Sequence, residues 1–142
     1  MAELLRAPPL GGVSAITAAG FEIAPCPGAI WRIGESVAGA VPTQPGEWML
    51  FEAAGFPAPA VEAVDVRSGH ALFSVSGPDA LLLLDIDPLA GAAQGGCTAR
   101  VGGLRASLFW RRDPVPQVHI AVERFYGAWF WEWLRHRATL LE

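Results

Sequence analysis

The chain of 142 residues is 52% hydrophobic with a formal net charge of −4, and its length suits one domain, 1–142, or two small lobes at about 10–68 and 69–142 that share a core. All ten basic residues are arginine, so the lysine of a Schiff base and the lysine of a phosphate-binding P-loop are excluded. The acidic balance argues against a nucleic-acid partner, and no run of about 18 residues lacks charges and turn formers, so no transmembrane helix is predicted.

Proline and glycine divide the first half of the chain into apolar segments of strand length. The first two segments, Phe21–Ala24 and Ile30–Ile33, predict a hairpin, and residues 35–45 predict a loop. Further along, the pattern predicts strands at Trp48–Glu52 and Val64–Val66, with a short helix or turn at 57–62 between them.

The second half gives clearer signals. Alternating apolar residues in Ala71–Val75 predict a strand with one buried face, and Ser76 with Pro78 suits the start of a short helix over 78–85. Gly102-Gly103 is a two-residue hairpin signal. The strands predicted around and after it are Thr98–Val101, Leu104–Trp110 and Gln117–Val122, followed by a long closing helix. This order predicts an α+β fold in which antiparallel sheets are covered by helices.

The closing helix is rich in aromatic residues, and a helical wheel predicts which of them face the core. Trp131 falls outside the core arc, between Arg124 and Arg135, where a large ring would stand among charges. We predict these three residues as an exposed interface for a partner protein; the alternative is that a loop of the same chain covers Trp131. The predicted core arc contains Phe125, Tyr126, Trp129, Phe130, Trp133, Leu134, Leu140 and Leu141.

No set of residues predicts self-sufficient catalysis or a metal site. His119 is expected to be a solvent-facing or sheet-packed histidine, and His136 a favourable cation near a helix C-terminus. The closest carboxylate pair, Asp85 and Asp87, precedes a proline and suits a turn.

Two features of the sequence bear on the cellular compartment. The N-terminus shows no targeting signal, which predicts a cytoplasmic protein, and the cysteines, Cys26 and Cys97, are expected to be free thiols.

Several segments in order form a recognisable set. They are Pro45–Leu50, Val64–Val66, Ala71–Ala80, Cys97–Arg100, Leu108–Trp110 and Tyr126–Leu134 with its Trp131-Glu-Trp-Leu134 ending. Together they resemble the gamma subunit of heterotetrameric sarcosine oxidase, over about Pro45 to Leu141. This subunit is in turn similar to the folate-binding domain of aminomethyltransferases such as the glycine-cleavage T protein, and Ser76-Gly-Pro-Asp-Ala80 is shared with that wider group.

The resemblance implies an aminomethyltransferase-type α+β fold and a non-catalytic accessory role. In such a complex for the oxidative demethylation of sarcosine, the partners are large flavoprotein subunits, and the other subunits are expected to carry FAD, FMN, NAD and tetrahydrofolate. This chain departs from the family at Leu84–Leu89 and at Arg124–Trp129, so the amine or imino acid that the complex oxidises stays open.

Two other interpretations remain open. The chain could be an independent folate-binding protein, in which Glu123, Asp85 and Trp110 would contact a pterin, although no motif links these three residues. It could also be a structural domain that dimerises through its aromatic helix when isolated.

Overall fold

The computed structural model describes residues 16–18, 21–25, 30–52, 62–78, 80, 84 and 93–140. Within these residues, two short 3-10 turns lie at Arg67–Gly69 and Arg124–Tyr126, and one α-helix, α1, spans Gly127–Leu140. The strands of the same residues are β1 Ile16–Ala18, β2 Phe21–Pro25, β3 Ile30–Ile33, β4 Val41–Gln44, β5 Glu47–Phe51, β6 Ala63–Asp65, β7 His70–Ser76, β8 Gln94–Val101, β9 Leu104–Arg111 and β10 Gln117–Glu123.

The strands form two antiparallel sheets. The six-stranded sheet has the order β1-β2-β7-β10-β9-β8, and the four-stranded sheet has the order β4-β5-β3-β6. Four of the eight pairings join strands that are neighbours in sequence, and the other four, β2–β7, β7–β10, β3–β5 and β3–β6, join strands separated along the chain. The sheet-rich architecture with a C-terminal helix confirms the α+β prediction, while the two-lobe division stays a prediction.

The six-stranded sheet is covered on both faces, which explains why its central strand β10 is buried from Val118 to Val122. Along β10, residues alternate between the two faces as the pleat requires. Val118 and Ile120 pack with α1 in what we call the helix-side core. Ala121 packs in the inter-sheet core, together with Ile30 and Phe51 of the four-stranded sheet. The molecule therefore has three layers, a helix, the six-stranded sheet and the four-stranded sheet.

The turn at Gly102-Gly103 joins β8 to β9 as the sequence predicts. Both glycines have positive φ, +60° and +85°, a conformation that costs other residues free energy. Gly102 also lies against α1, because a Cβ atom added there would stand 2.7 Å from Cε2 of Trp133. This glycine therefore serves both the turn and the packing of the helix.

Two predictions for the first half are wrong, and two predicted elements lie mostly outside the described residues. The segments predicted as a hairpin are strands, but β2 pairs with β1 and β7 while β3 pairs with β5 and β6. They separate because Ile23 belongs to the helix-side core and Ile30 to the inter-sheet core. The predicted loop over 35–45 contains β4, an edge strand that tolerates Pro42 with an irregular register. The predicted elements at 57–62 and 78–85 lie mostly outside the described residues.

The orientation predicted for the closing helix is also wrong. Trp131 is only 6% exposed, whereas Trp129 of the predicted core arc is 51% exposed. The buried face of α1 consists of Gly127, Phe130, Trp131, Leu134 and Ala138. Gly127 and Ala138 are small, so the helix backbone can approach the sheet closely on that side, and Phe73 of β7 meets the Trp131 ring there. Phe130 and Leu134 are buried as predicted, Trp133 is half-buried against the helix-side core, and Leu141 lies outside the described residues.

Within the described part of the chain, no helix is both long and apolar enough to cross a bilayer.

Candidate interaction surface

The three histidines of this chain lie in different parts of the fold and have different surroundings. The His70 ring Nδ1 lies 2.8 Å from the Val66 carbonyl oxygen, and His136 is exposed on α1. His119 is buried on the inter-sheet face of β10, with its ring centroid 6.5 Å from that of Phe51. Burial lowers the pKa of the His119 imidazole, and the positive charge of Arg111 lowers it further. His119 is thus the sheet-packed histidine of the two predicted options.

The described cysteine is a poor nucleophile. Cys97 is a free, half-buried thiol on β8 that packs against the helix-side core. Burial raises the pKa of this thiol, which reduces the thiolate fraction at neutral pH. Cys26, Asp85 and Asp87 lie outside the described residues. Among the residues that the structure describes, no group of three or more histidine, cysteine or carboxylate side chains could hold a metal ion.

Two open grooves lie where the four-stranded sheet meets the edge of the six-stranded sheet. The larger, about 620 Å³, lies between the β4–β5 turn and the β8–β9 hairpin and is lined by Trp48, Cys97 and Arg100 among others. Thr98 Oγ1 donates to the Pro42 carbonyl oxygen at 2.7 Å and so joins β8 to β4 beneath it. The smaller groove, about 170 Å³, lies beside Glu123. Neither groove combines a nucleophile with an oriented base.

The residues considered for a pterin do not form a site. Trp110 is buried in the helix-side core, where its ring leaves no room for a Cβ atom on Gly95. Its pairing partner on β10 is Val118, five residues from Glu123, which corresponds to about 17 Å along a strand. Asp85 lies outside the described residues. The geometry therefore does not favour folate binding at these positions.

The most distinctive surface of the described chain is apolar and aromatic. It lies on the outer side of the second 3-10 turn and α1. The exposed fraction is 96% for Phe125, 46% for Tyr126, 51% for Trp129 and 69% for Leu140. Isolated exposed apolar residues are common, but contiguous large ones on one element mark an interaction site.

The predicted interface residues are not brought together. Arg124 is half-buried, and its guanidinium NH1 donates to the Ser68 carbonyl oxygen at 3.3 Å. Arg135 is exposed and forms an ion pair with Glu132 at 2.9 Å. Trp131 lies beneath the helix, stacked on Phe73 with 6.2 Å between ring centroids. The aromatic residues that do reach solvent are those that the wheel had assigned to the core. The small residues Gly127 and Ala138 were the sequence signal that could have fixed the buried side.

Comparison with solved structures shows a structural relationship, whereas comparison of sequences does not. No protein-family model and no curated protein sequence matches this chain. Among solved structures, the chain is similar to a chain of heterotetrameric sarcosine oxidase from Corynebacterium sp. U-96, solved in complex with pyrrole 2-carboxylate, with a TM-score of 0.66 and 12% sequence identity. The similarity covers 96% of both chains. The two chains therefore share a fold over nearly their whole length.

Proposed function

We propose that this chain is a non-catalytic accessory subunit of a sarcosine-oxidase-like flavoenzyme complex. The observation that carries the proposal is the shared fold over 96% of both chains with a chain of a heterotetrameric enzyme. The amine or imino acid that the complex oxidises is not part of the proposal.

The chemistry of the described residues supports the same role. His119 is kept neutral by burial and Cys97 is held as a thiol. In the smaller groove, His70 contacts the Val66 carbonyl oxygen and Ser107 bonds to Thr98, so this hydroxyl is not bonded to the imidazole. A subunit of this kind contributes binding surface and leaves the reaction to its neighbours. The partners would be large flavoprotein subunits, and FAD, FMN, NAD and tetrahydrofolate would be bound by those other subunits. A cytoplasmic location belongs to the same proposal.

The surface proposed for the partner subunit is centred on Phe125. This ring is 96% exposed. Arg124 precedes it in the chain and Arg135 lies about 15 Å further along the helix, both on one flank about a quarter of a turn from Phe125. An aromatic ring with arginines at its border is the composition typical of interface hot spots. The proposed interface retains Arg124 and Arg135 of the predicted one, and Phe125 replaces the buried Trp131 as its central residue.

The test is co-expression of the tagged chain with the flavin-carrying subunits of the sarcosine-oxidase-like enzyme from the source cell. We expect the proteins to co-elute from a sizing column as one complex, because an accessory subunit forms a stable interface. Phe125→Ala should weaken incorporation by about 30-fold, which corresponds to about 2 kcal/mol for a hot-spot ring.

The matched control is Val115→Ala, at a half-exposed apolar residue in the β9–β10 connection, which should leave incorporation unchanged. Separate elution of the wild-type chain at concentrations well above about 10 µM would refute the accessory role. Incorporation that is intact in Phe125→Ala but lost in Val115→Ala would place the interface elsewhere.

A further inference from the structure

Two arginines stand directly opposite each other in the β8–β9 hairpin. Arg100 of β8 pairs with Arg105 of β9, so their side chains lie on the same face of the sheet, with Cβ atoms about 4.5–5.5 Å apart. Like charges in this arrangement repel each other and destabilise a hairpin. Both arginines line the larger groove, together with Trp48, Pro42 and Pro45. One wall of the groove therefore carries two positive charges, in a chain whose net charge is −4.

No described carboxylate neutralises this pair of charges. The guanidinium NH1 of Arg100 donates to the Gly103 carbonyl oxygen at 3.3 Å, and NH2 of Arg105 donates to the Thr43 carbonyl oxygen. Each of these bonds uses one nitrogen of a guanidinium that has five N–H groups, and a neutral carbonyl leaves the positive charge in place. The described ion pairs lie elsewhere, beside β6 and on α1. No acidic residue is among the described residues that line the groove, so both guanidinium groups have N–H groups left for an anion.

The two walls of the groove are joined by hydrogen bonds. Thr98 Oγ1 of β8 donates to the Pro42 carbonyl oxygen of β4 at 2.7 Å, and the bond from Arg105 to Thr43 joins β9 to β4. A site that is held in shape before the ligand arrives has a lower entropy cost of binding. The two arginines are exposed and Trp48 is half-buried, so a ligand can reach them from solvent. The volume of about 620 Å³ lies within the range of small-molecule sites.

We propose that the larger groove binds a small phosphate monoester whose organic group is flat and apolar. A phosphate monoester carries about −1.5 to −2 charges at pH 7, which matches two guanidinium groups, whereas a carboxylate would neutralise only one. Its oxygen atoms accept hydrogen bonds from Arg100 and Arg105 in the geometry that guanidinium groups favour, and the organic group packs on the ring of Trp48. The bound anion also removes the repulsion between the two arginines, so binding stabilises the hairpin. This inference does not depend on the accessory role.

The test is calorimetric titration of the full chain with phenyl phosphate. We expect a Kd below about 1 mM, because two charge-assisted contacts and one aromatic contact act together. Two other ligands separate these contributions. Benzoate has a similar ring with a single negative charge, and inorganic phosphate has the same anionic group without a ring. Each of them should bind at least about fivefold more weakly than phenyl phosphate.

Variants of the lining residues assign the contacts. Arg100→Gln and Arg105→Gln should each weaken the binding of phenyl phosphate about tenfold or more. The matched control is Arg67→Gln, at an exposed arginine outside the groove that pairs with Asp65, and it should bind as the wild-type chain does. Trp48→Leu should weaken phenyl phosphate but leave inorganic phosphate unchanged, because only the organic group contacts the ring. Circular dichroism of the same samples checks that each variant is folded.

The repulsion between the two arginines gives a second readout, which needs no ligand. Arg100→Glu replaces a like-charge pair with an opposite-charge pair across the hairpin, so the melting temperature should rise by about 1–3 °C. Phenyl phosphate at about 20 mM should raise the melting temperature of the wild-type chain and leave that of Arg100→Glu unchanged. If Arg100 served only the hairpin, through its bond to the Gly103 carbonyl oxygen, its replacement would lower the melting temperature.

Three results would overturn the proposal. In the first, phenyl phosphate at up to about 20 mM gives neither heat nor a rise in the melting temperature of the wild-type chain. In the second, benzoate binds as tightly as phenyl phosphate, which would show that the paired charges do not select the ligand. In the third, Arg100→Gln and Arg105→Gln bind as the wild-type chain does, which would place the anion elsewhere. None of these results bears on the accessory role, since assembly with partner subunits is not measured.

Discussion

Removing the buried Trp131 side chain should destabilise the fold strongly. The ring is 6% exposed and stacks on Phe73 at an interplanar angle of 17°. Replacement by alanine leaves a cavity in the helix-side core, and substitutions of this kind cost about 3–5 kcal/mol. The area lost gives a similar value, since about 200 Å² at about 25 cal/mol per Å² is about 5 kcal/mol. Such a loss is a large fraction of the stability of a domain of this size.

The matched control is Trp129→Ala, because Trp129 lies two residues away on the same helix with half of its side chain in solvent. We expect this change to alter the free energy of unfolding by no more than about 1 kcal/mol. Urea unfolding followed by far-ultraviolet circular dichroism, at a protein concentration too low for association, measures both values. The melting temperature of Trp131→Ala should fall by about 10–20 °C.

The ranking of the two variants is the decisive result. If Trp129→Ala were more destabilising than Trp131→Ala, the buried face of α1 would be assigned to the wrong side. A loss below about 1 kcal/mol for Trp131→Ala would lead to the same conclusion.

Three other predictions test separate parts of the fold. Gly96→Ala should lower the free energy of urea unfolding by about 1–3 kcal/mol, because its Cβ would stand 2.5 Å from Cγ2 of Val41 and 3.0 Å from the Leu108 carbonyl oxygen. In the control Gly34→Ala, the added Cβ has no atom within 4 Å, so stability should change by less than about 0.5 kcal/mol. Equal losses in the two variants would contradict the contact between the sheets. Because burial and Arg111 lower the pKa of His119 below its ordinary 6.5, the unfolded chain takes up a proton first as the pH falls, so this group should remove up to about 1.4 kcal/mol of stability per pH unit below about pH 6.5. In His119→Gln, the free energy of unfolding should depend less on pH below about pH 6.5. If the variant and the wild-type chain showed the same pH dependence, His119 would not be a buried neutral imidazole. In a Cys26→Ser background, Cys97 should react with a disulfide reagent at least tenfold more slowly in the folded chain than in urea, since burial raises its pKa; equal rates would contradict that burial.

The strands of the second half could be predicted closely, because local signals and tertiary packing agree there. Gly102-Gly103 fixes a hairpin by its backbone conformation alone. The alternation in Gln117–Val122 matches β10, which ends one residue later at Glu123. Both faces of the sheet that contains these strands are covered, so their apolar residues are buried whichever face they lie on. The α+β class followed from this order of elements.

Strand pairing in the first half could not be predicted from local pattern. The separation of β2 from β3 is decided by which core each strand enters, and Ile23 and Ile30 are the same residue type. A short loop between two strands favours a hairpin only when nothing else competes for their edges. Here the exposed edge of β7 is available to β2, and this long-range pairing is the stronger determinant.

The aromatic residues that are exposed on the closing helix are not those that the wheel predicts. A wheel assigns an orientation only when one side is apolar, and α1 has aromatic residues on both of its sides. The deciding residues were Gly127 and Ala138, whose small size allows the close approach that buries Trp131. Large side chains such as Trp129 were therefore displaced to the solvent side. The side that meets the sheet therefore combines these two small residues with large ones, Phe130 and Trp131.

The pairing of β2 with β7 has a consequence for any shortened version of the chain. β2 occupies the backbone groups of β7 from Phe73 to Ser76, and the outermost strand beyond it, β1, is only three residues long. Trimming the chain past residue 25 would turn β7 into the outer strand, with a row of unpaired N–H and C=O groups beside it. A bare strand of this kind is a template for pairing with other molecules. Aggregation on proteolytic loss of the N-terminal segment would then arise from hydrogen bonding at the sheet edge, together with the loss of Ile23 from the helix-side core.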